Sequence, residues 1–395
     1  MLGAEAVHAA EDVLEALVDA HLLQTPQPGG YTFHDLLGEY AADCAAAEVP
    51  WRERREALRR LVVWYAATVA VTADVLTPEA HPMPPLTEQP AVPALEFATD
   101  EAAMQWCVRE LPAIKEALRQ SAAQGWSDVA WRLAAGLFGY AQAYWWTGEW
   151  TACLKEAMAC VTEHGDVLGQ AWMHSRLGVA YGMSDQHELC LEHLRSAQGY
   201  FEAVGDDRGR AAILTNLTAL HRGMGEYAQA LDYGRQSLEL HRSLGDSDRV
   251  ATVLGNLGDS HLFAGDPAAA ESCFREALDA WRSRGSTVAI ARTLTSLGES
   301  LLALGRPEEA REALEENLRL LERLGDRASA SDVLEVLGRA HFARGDRGAA
   351  RTCWEEAVEL ARTHRLPARE ETALRSLARL DHDPGAEDRS PPARP

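Results

Sequence analysis

Basic residues are scarce. Lys and Arg number 38 against 60 Asp and Glu, for a formal net charge of -22, and none falls between Met1 and Val49. Because phosphate binding rests on a positive field, this balance argues against direct nucleic-acid binding and against attraction to an anionic membrane. It favours a basic or mixed partner, or a helical surface kept soluble by its acidity. The seven cysteines, Cys44, Cys107, Cys153, Cys160, Cys190, Cys273 and Cys353, are never spaced C-x-x-C. They read as reduced thiols of a cytoplasmic chain. The longest apolar run, between Arg60 and Asp74, is too short to cross a bilayer, and the first residues lack the basic and apolar regions of a secretory signal. The signatures G-x-x-x-x-G-K-[ST], G-x-S-x-G and H-E-x-x-H are all missing. No phosphate cradle and no recognisable hydrolase motif remain, so a noncatalytic chain without cofactor or metal is expected.

What the sequence does have is a period of 40 residues. A Leu-Gly pair recurs at Leu177-Gly178, Leu257-Gly258, Leu297-Gly298 and Leu337-Gly338, with Leu217-Thr218 in the remaining slot. Turn pairs follow at Gly225-Glu226, Gly265-Asp266, Gly305-Arg306 and Gly345-Asp346, and a second set at Gly165-Asp166, Gly205-Asp206, Gly245-Asp246, Gly285-Ser286 and Gly325-Asp326. Such self-similarity means a solenoid. Five helix pairs are expected, starting near Leu168, Arg208, Asp248, Val288 and Ala328. Within each, a small residue lets paired helices approach and a bulky one fills the gap. Leu257, Gly258, His261, Ala270, Phe274 and Ala277 carry this pattern in one unit, and Leu337, Gly338, His341, Ala350, Trp354 and Ala357 in another. Each unit resembles a tetratricopeptide repeat, with the six residues beyond the usual 34 assigned to the second helix. The resemblance implies an all-α, right-handed solenoid.

Ahead of the repeats, Val13, Leu14, Leu17 and Val18 sit at helical spacing, and Leu22-Leu23 and Tyr31-Thr32-Phe33 flank a Pro/Gly turn before a helix carrying Leu36, Leu37 and Tyr40. Helix plus hairpin is the second half of a winged helix. The stretches Val18 to Leu23 and Gly30 to Leu37 resemble the winged-helix end of the NB-ARC module in bacterial signal-transducing ATPases. They are similar in particular to regulators of antibiotic production that join NB-ARC and tetratricopeptide segments. Phe33-His34-Asp35 falls at that family's Met-His-Asp-like motif, whose His contacts the β-phosphate of ADP. The resemblance therefore implies a nucleotide contact at His34, provided that an NB-ARC ATPase domain is supplied from elsewhere. On the residues alone, Asp35 caps the next helix and His34 packs in the hairpin.

The organisation that follows is a partial winged helix over 1–49, a connecting helix over 50–77, a Pro-rich linker over 78–98 and an irregular N-terminal repeat over 99–166. Five repeats over 167–366, a capping helix over 367–380 and a disordered tail over 381–395 complete it. In the connecting helix, Arg52, Arg54, Arg55, Arg59 and Arg60 are interleaved with Glu53 and Glu56, which suggests i,i+3 and i,i+4 surface pairs. The linker's prolines prohibit helix; it reads as a spacer along the array or as a Pro-rich ligand. Trp126, Trp131, Trp145, Trp146 and Trp150 suggest core packing, or an aromatic wall if partly exposed.

The binding surface is expected on the first helices. Asn216 and Asn256 precede the Leu-Gly slot one repeat apart, with Arg176 and Ser296 at the equivalent sites on either side. A side-chain amide donates and accepts, matching a peptide bond, and in peptide-binding tetratricopeptide proteins such asparagines hold an extended ligand. Asp259, Arg222, Arg292, Glu299 and Arg339 complete a mixed-charge groove for a protein or peptide. Two readings of the asparagines stand side by side: ligand contact, or hydrogen bonds to the preceding repeat. The expected role is the sensor or interaction part of a bacterial regulatory protein, with an assembly scaffold as the alternative. A less favoured alternative is a metal enzyme built around His187 and His193, since Cys190 between them occupies the small-residue slot of Ala230, Ala270 and Ala310.

Overall fold

The computed structural model describes residues 4–27, 30–33, 35–78, 80–144 and 146–382. Helix α1 (Ala4–Asp19), strands β1 (Leu23–Gln27) and β2 (Gly30–Phe33) and helix α2 (Asp35–Glu48) come first. The strands pair antiparallel, Leu23 opposite Phe33 and Gln24 opposite Thr32, and Leu23 is buried. Helix, hairpin and helix follow in the expected order. His34 lies outside the described residues, as do Trp145 and the expected tail from 383 onward.

Next come α3 (Trp51–Leu76), α4 (Asp100–Ala123), α5 (Ser127–Gly136), α6 (Phe138–Tyr144) and α7 (Thr147–Glu163). The Thr99 side chain caps α4 by accepting from the Ala102 N–H. Thr147-Gly148-Glu149, a turn by its sequence between two helices of this irregular repeat, is instead the first turn of α7, and the preceding helix is broken at Leu137. A Cβ on Gly136 would stand 2.3 Å from Val69 Cγ1, and one on Gly139 2.7 Å from Leu76 Cβ. These glycines therefore let α5 and α6 close on α3, which is packed into the array as well as connecting it. Trp131 and Trp150 are fully buried in this core and Trp126 is buried at its edge. The arginines of α3 pair differently from expectation. Arg59 grips Asp128 of α5 with two hydrogen bonds and reaches Glu88, and Arg55 donates to Gln124. Both also lie over the Trp126 ring, so these two arginines make tertiary contacts in place of pairing with Glu53 and Glu56 along their own helix.

Five regular pairs follow: α8 (Val167–Met183) with α9 (His187–Ala203), α10 (Asp207–Gly223) with α11 (Tyr227–Ser243), α12 (Ser247–Phe263) with α13 (Pro267–Arg284), α14 (Thr287–Ala303) with α15 (Pro307–Leu324), and α16 (Arg327–Ala343) with α17 (Arg347–Thr363). Helix α18 (Pro367–His382) packs on α17 and closes the stack. Both helices of each pair run 17 or 18 residues, so the extra length is not confined to the second helix. The Gly-Asp turns explain why. At Gly245-Asp246, Gly245 takes φ +66 to end α11, and the Asp246 carboxylate accepts from the Arg249 N–H to start α12. The same Asp cap opens α8, α10 and α16, fixing each start one residue before the expected position.

Inside each pair the small-large rule is followed closely. A Cβ on Gly178 would meet Leu194 at 2.8 Å, on Gly258 Phe274 at 2.5 Å, on Gly298 Leu314 at 2.9 Å and on Gly338 Trp354 at 2.4 Å. The second pair inverts the rule: Thr218 stands where the others have Gly, and Gly234 where the others have Leu, Phe or Trp. Successive second helices are laced by ion pairs in register, Arg242 with Glu276 and Arg282 with Glu316. Each is exposed and contributes at most about 1 kcal/mol.

Candidate functional site

The Pro-rich linker is an ordered strap across the first helices. Its Pro84 and Pro85 carbonyls accept from the buried Arg132 guanidinium, and its Pro93 carbonyl from Trp64 Nε1. The His81 ring lies flat on Trp172 of α8, with centroids 4.9 Å apart, and its Nε2 is 3.2 Å from Asp206 at the start of α10. Arg249 of α12 donates to the Ala80 carbonyl. The strap thus touches three consecutive first helices. The segment lies along the array.

Beneath the strap is a cavity of about 390 Å³. Trp172, Ser175 and Arg176 of α8, Thr215 and Asn216 of α10, and Thr252 and Asn256 of α12 face it, with Leu76, Thr77, Pro78, Ala80 and His81 as the opposite wall. Three of the residues expected from the sequence, Arg176, Asn216 and Asn256, therefore meet in one site. Neither asparagine side chain makes a hydrogen bond with another described residue. Arg176 is 8% exposed and sits over the rings of Phe138, at 4.7 Å, and Trp172, at 5.1 Å. Its Nε has no hydrogen-bond partner among the described residues. Burial, with nearby Arg249 adding to it, pushes the guanidinium down to about 10.

The other five expected residues lie on α10, α12, α14 and α16. Arg222 of α10 pairs with Asp259 of α12, and Arg339 of α16 reaches Glu299 of α14 at 3.5 Å. Burial raises both carboxyls, against the pull of Arg222 on Asp259 and of Arg339 on Glu299. Arg292 borders a second cavity of about 370 Å³ together with Ser296, Asn317 and Asp332. The first-helix face therefore runs from a basic, amide-lined end at α8 to a paired, mixed-charge stretch over α12 to α16.

The strap's part was missed from the sequence, since proline density announces an extended segment and not where it docks. Histidine spacing was equally uninformative: His193 faces His174 across the α8/α9 interface, Nδ1 to Nδ1 at 2.9 Å, and His187 does not join them. Among the described residues no three His, Cys, Asp or Glu side chains gather as a metal-binding group. Cys190 is buried in the small-residue slot, and His221 packs on Tyr233 and bonds Glu226.

Acid is expected to weaken the fold at this site. His241, 2% exposed on α11 and bordering the cavity, is held down to about 4 by burial, with Arg249 and His81 adding and Asp246 opposing. Burial likewise holds His174 down to about 4, with His193 adding to it. An unfolded imidazole takes its proton near pH 6.5, so between there and about pH 4 the unfolded chain binds more protons and stability falls as pH falls. Thermal melts at pH 7.5, 5.5 and 4.5 should show this decline, and His241→Gln should make it shallower; an unchanged slope would remove His241 as a source.

Residues 169–243, 209–283 and 289–363 match the tetratricopeptide repeat family profile. Two proteins described as regulatory protein AfsR are similar in sequence. The Streptomyces griseus protein is 29% identical over 259 residues, 55% of this chain and 26% of its own length. The Streptomyces coelicolor protein is 38% identical over 117 residues, 28% of this chain and 12% of its own length. The chain thus spans about a quarter or less of these relatives. Among solved structures, a signal transduction ATPase with numerous domains and a tetratricopeptide repeat sensor, from Pyrococcus horikoshii, has a similar fold at TM-score 0.52 and 18% identity, covering 93% of this chain and 54% of that one. No described helix is long and apolar enough to cross a membrane. The fold is a tetratricopeptide-repeat solenoid with a two-stranded hairpin near its N-terminus, and its repeat region is similar to part of bacterial regulatory proteins.

Proposed function

We propose that this chain is a noncatalytic sensor segment of a bacterial regulator, which holds a protein or peptide along its first helices in the cytoplasm. The supporting observation is the state of Asn216 and Asn256. Were they there to fasten one repeat to the next, their amides would be bonded inside the stack; both lack a hydrogen-bond partner among the described residues and face the cavity. A free amide one repeat from another offers paired donor and acceptor sites to an extended backbone. The ion pairs from Arg222 to Arg339 continue the surface in mixed charge. Similarity to AfsR proteins supports a regulatory setting. The helix, hairpin and helix order supports the partial winged helix, to which an NB-ARC ATPase domain would dock with His34 toward its nucleotide.

The test is capture of partners from a cell extract by the chain and by its Asn216→Ala, Asn256→Ala double variant. Losing two amide bonds to a ligand should weaken binding about 10- to 100-fold. Folding should be unaffected, since neither side chain is bonded among the described residues. Equal capture by both proteins would overturn the placement of the ligand. The scaffold reading differs in output: a scaffold keeps all its behaviour without residues 1–49, whose described helices and strands pack chiefly on one another, whereas a sensor keeps its ligand and loses its signal.

A further inference from the structure

A guanidinium buried without a carboxylate is costly, and this fold carries one. Arg176 lies 92% buried at the floor of the strap-covered cavity, clamped over Phe138 and Trp172, and no carboxylate pairs with it among the described residues. A second cation, Arg249, adds to the cost of its charge. Elsewhere in the chain acidic residues are in excess and buried arginines find acceptors: Arg132 has three carbonyls. Packing alone would be served by an apolar side chain of similar length. An unsatisfied charge at the edge of a cavity is the arrangement of a binding site, because its missing partner is supplied by the ligand.

We propose that this cavity binds a small organic anion, a carboxylate or phosphate compound, with its charged group on Arg176 and its neutral polar part on Asn216 and Asn256. The strap decides the size of the occupant. His81 seated on Trp172 and Asp206, and Ala80 bonded to Arg249, bridge α8, α10 and α12 and so roof the space in front of Arg176, which leaves room there for a compact group. A volume of about 390 Å³ suits a compact molecule, at the lower end of small-ligand pockets. The anion would sit against the strap, whose first residues continue directly from α3, so occupancy would tighten the strap between the solenoid and the N-terminal helices. The site overlaps the protein-binding reading at the two asparagines but does not rest on it, since its charge is supplied by Arg176.

The experiment is thermal melting of the full chain in sodium glutarate, sodium phosphate and glycerol 3-phosphate, against sodium chloride of equal ionic strength and against neutral glycerol. At ten times its dissociation constant a ligand should raise the melting temperature by about 2 °C in a chain of this size. The rise should vanish in Arg176→Met and persist in part in Arg176→Lys. Glutarate acting alone would assign a carboxylate ligand and phosphate compounds acting alone a phosphoryl one; both outcomes support the site. If the anions act equally on the wild type and Arg176→Met, or on neither, the proposal is overturned. The melts contain no protein partner, so they read the anion site whether or not the chain captures a protein, and failure of either reading is seen separately.

Discussion

Arg176→Met is expected to raise the melting temperature of the ligand-free chain by about 2 °C, whereas most substitutions in a packed interior lower it. The guanidinium is held down to about 10 by burial and by Arg249, far below the arginine range. At pH 7 the side chain is charged in both folded and unfolded chains, so the depression measures how much the fold disfavours that charge. At about 1.4 kcal/mol for each pKa unit the cost is about 3 kcal/mol. Against it stands attraction to Phe138 and Trp172, worth about 1 kcal/mol. Methionine keeps an unbranched, polarisable stem over the same rings and removes the charge. The net gain is about 2 kcal/mol, reached by giving up a group whose use lies in binding. Thermal melts of the two proteins without added anion give the answer. A lower melting temperature in the variant would mean that Arg176 is a packing residue, and the cavity would lose its reason to be charged.

The repeats were legible because their determinants are local and recur. Leu-Gly pairs, Gly-Asp turns and bulky second-helix residues each fix their own neighbourhood, and forty residues later the same residues do the same thing. Helix α3 was legible end to end for a similar reason, since Pro50 before it and the prolines after Leu76 bound an uninterrupted pattern. What was not legible depends on contacts distant in sequence. His81 meets Asp206 across 125 residues and Arg249 meets the Ala80 carbonyl across 169. No spacing rule encodes such pairs. The candidate site divides along the same line. Asn216, Asn256 and Arg176 could be placed together because the repeat puts equivalent positions side by side, but the cavity they form exists only because the strap covers them. The overall charge of -22 was also a poor guide to this end of the face. Summed acidity describes the outer surface, whereas the cavity floor holds Arg176 with Arg249 beside it.

The inverted second pair predicts a stability cycle with a large coupling. In four of the five pairs a first-helix Gly faces a bulky second-helix residue; in the second, Thr218 faces Gly234. The space left by Gly234 is already taken, since a Cβ there would lie 2.5 Å from Leu257 Cδ2 and 3.3 Å from Thr218 Cγ2. Gly234→Leu alone should therefore overpack the interface and cost about 3 kcal/mol, although leucine is a better helix former than glycine. Thr218→Gly alone should cost about 2 kcal/mol, from backbone freedom gained in the unfolded chain and from the void left by a fully buried side chain. Together they recreate the first pair, where Gly178 accepts Leu194 at 2.8 Å. There the next repeat's Leu217 is also a buried leucine at the position equivalent to Leu257, so that leucine can retreat. The double variant should then sit within about 1 kcal/mol of the wild type, a favourable coupling of about 4 kcal/mol, large even for residues in direct contact. Urea unfolding of the four proteins measures it. Additive losses near 5 kcal/mol would show that the two positions are not exchanging one volume, and would leave Thr218 as an isolated exception in the repeat.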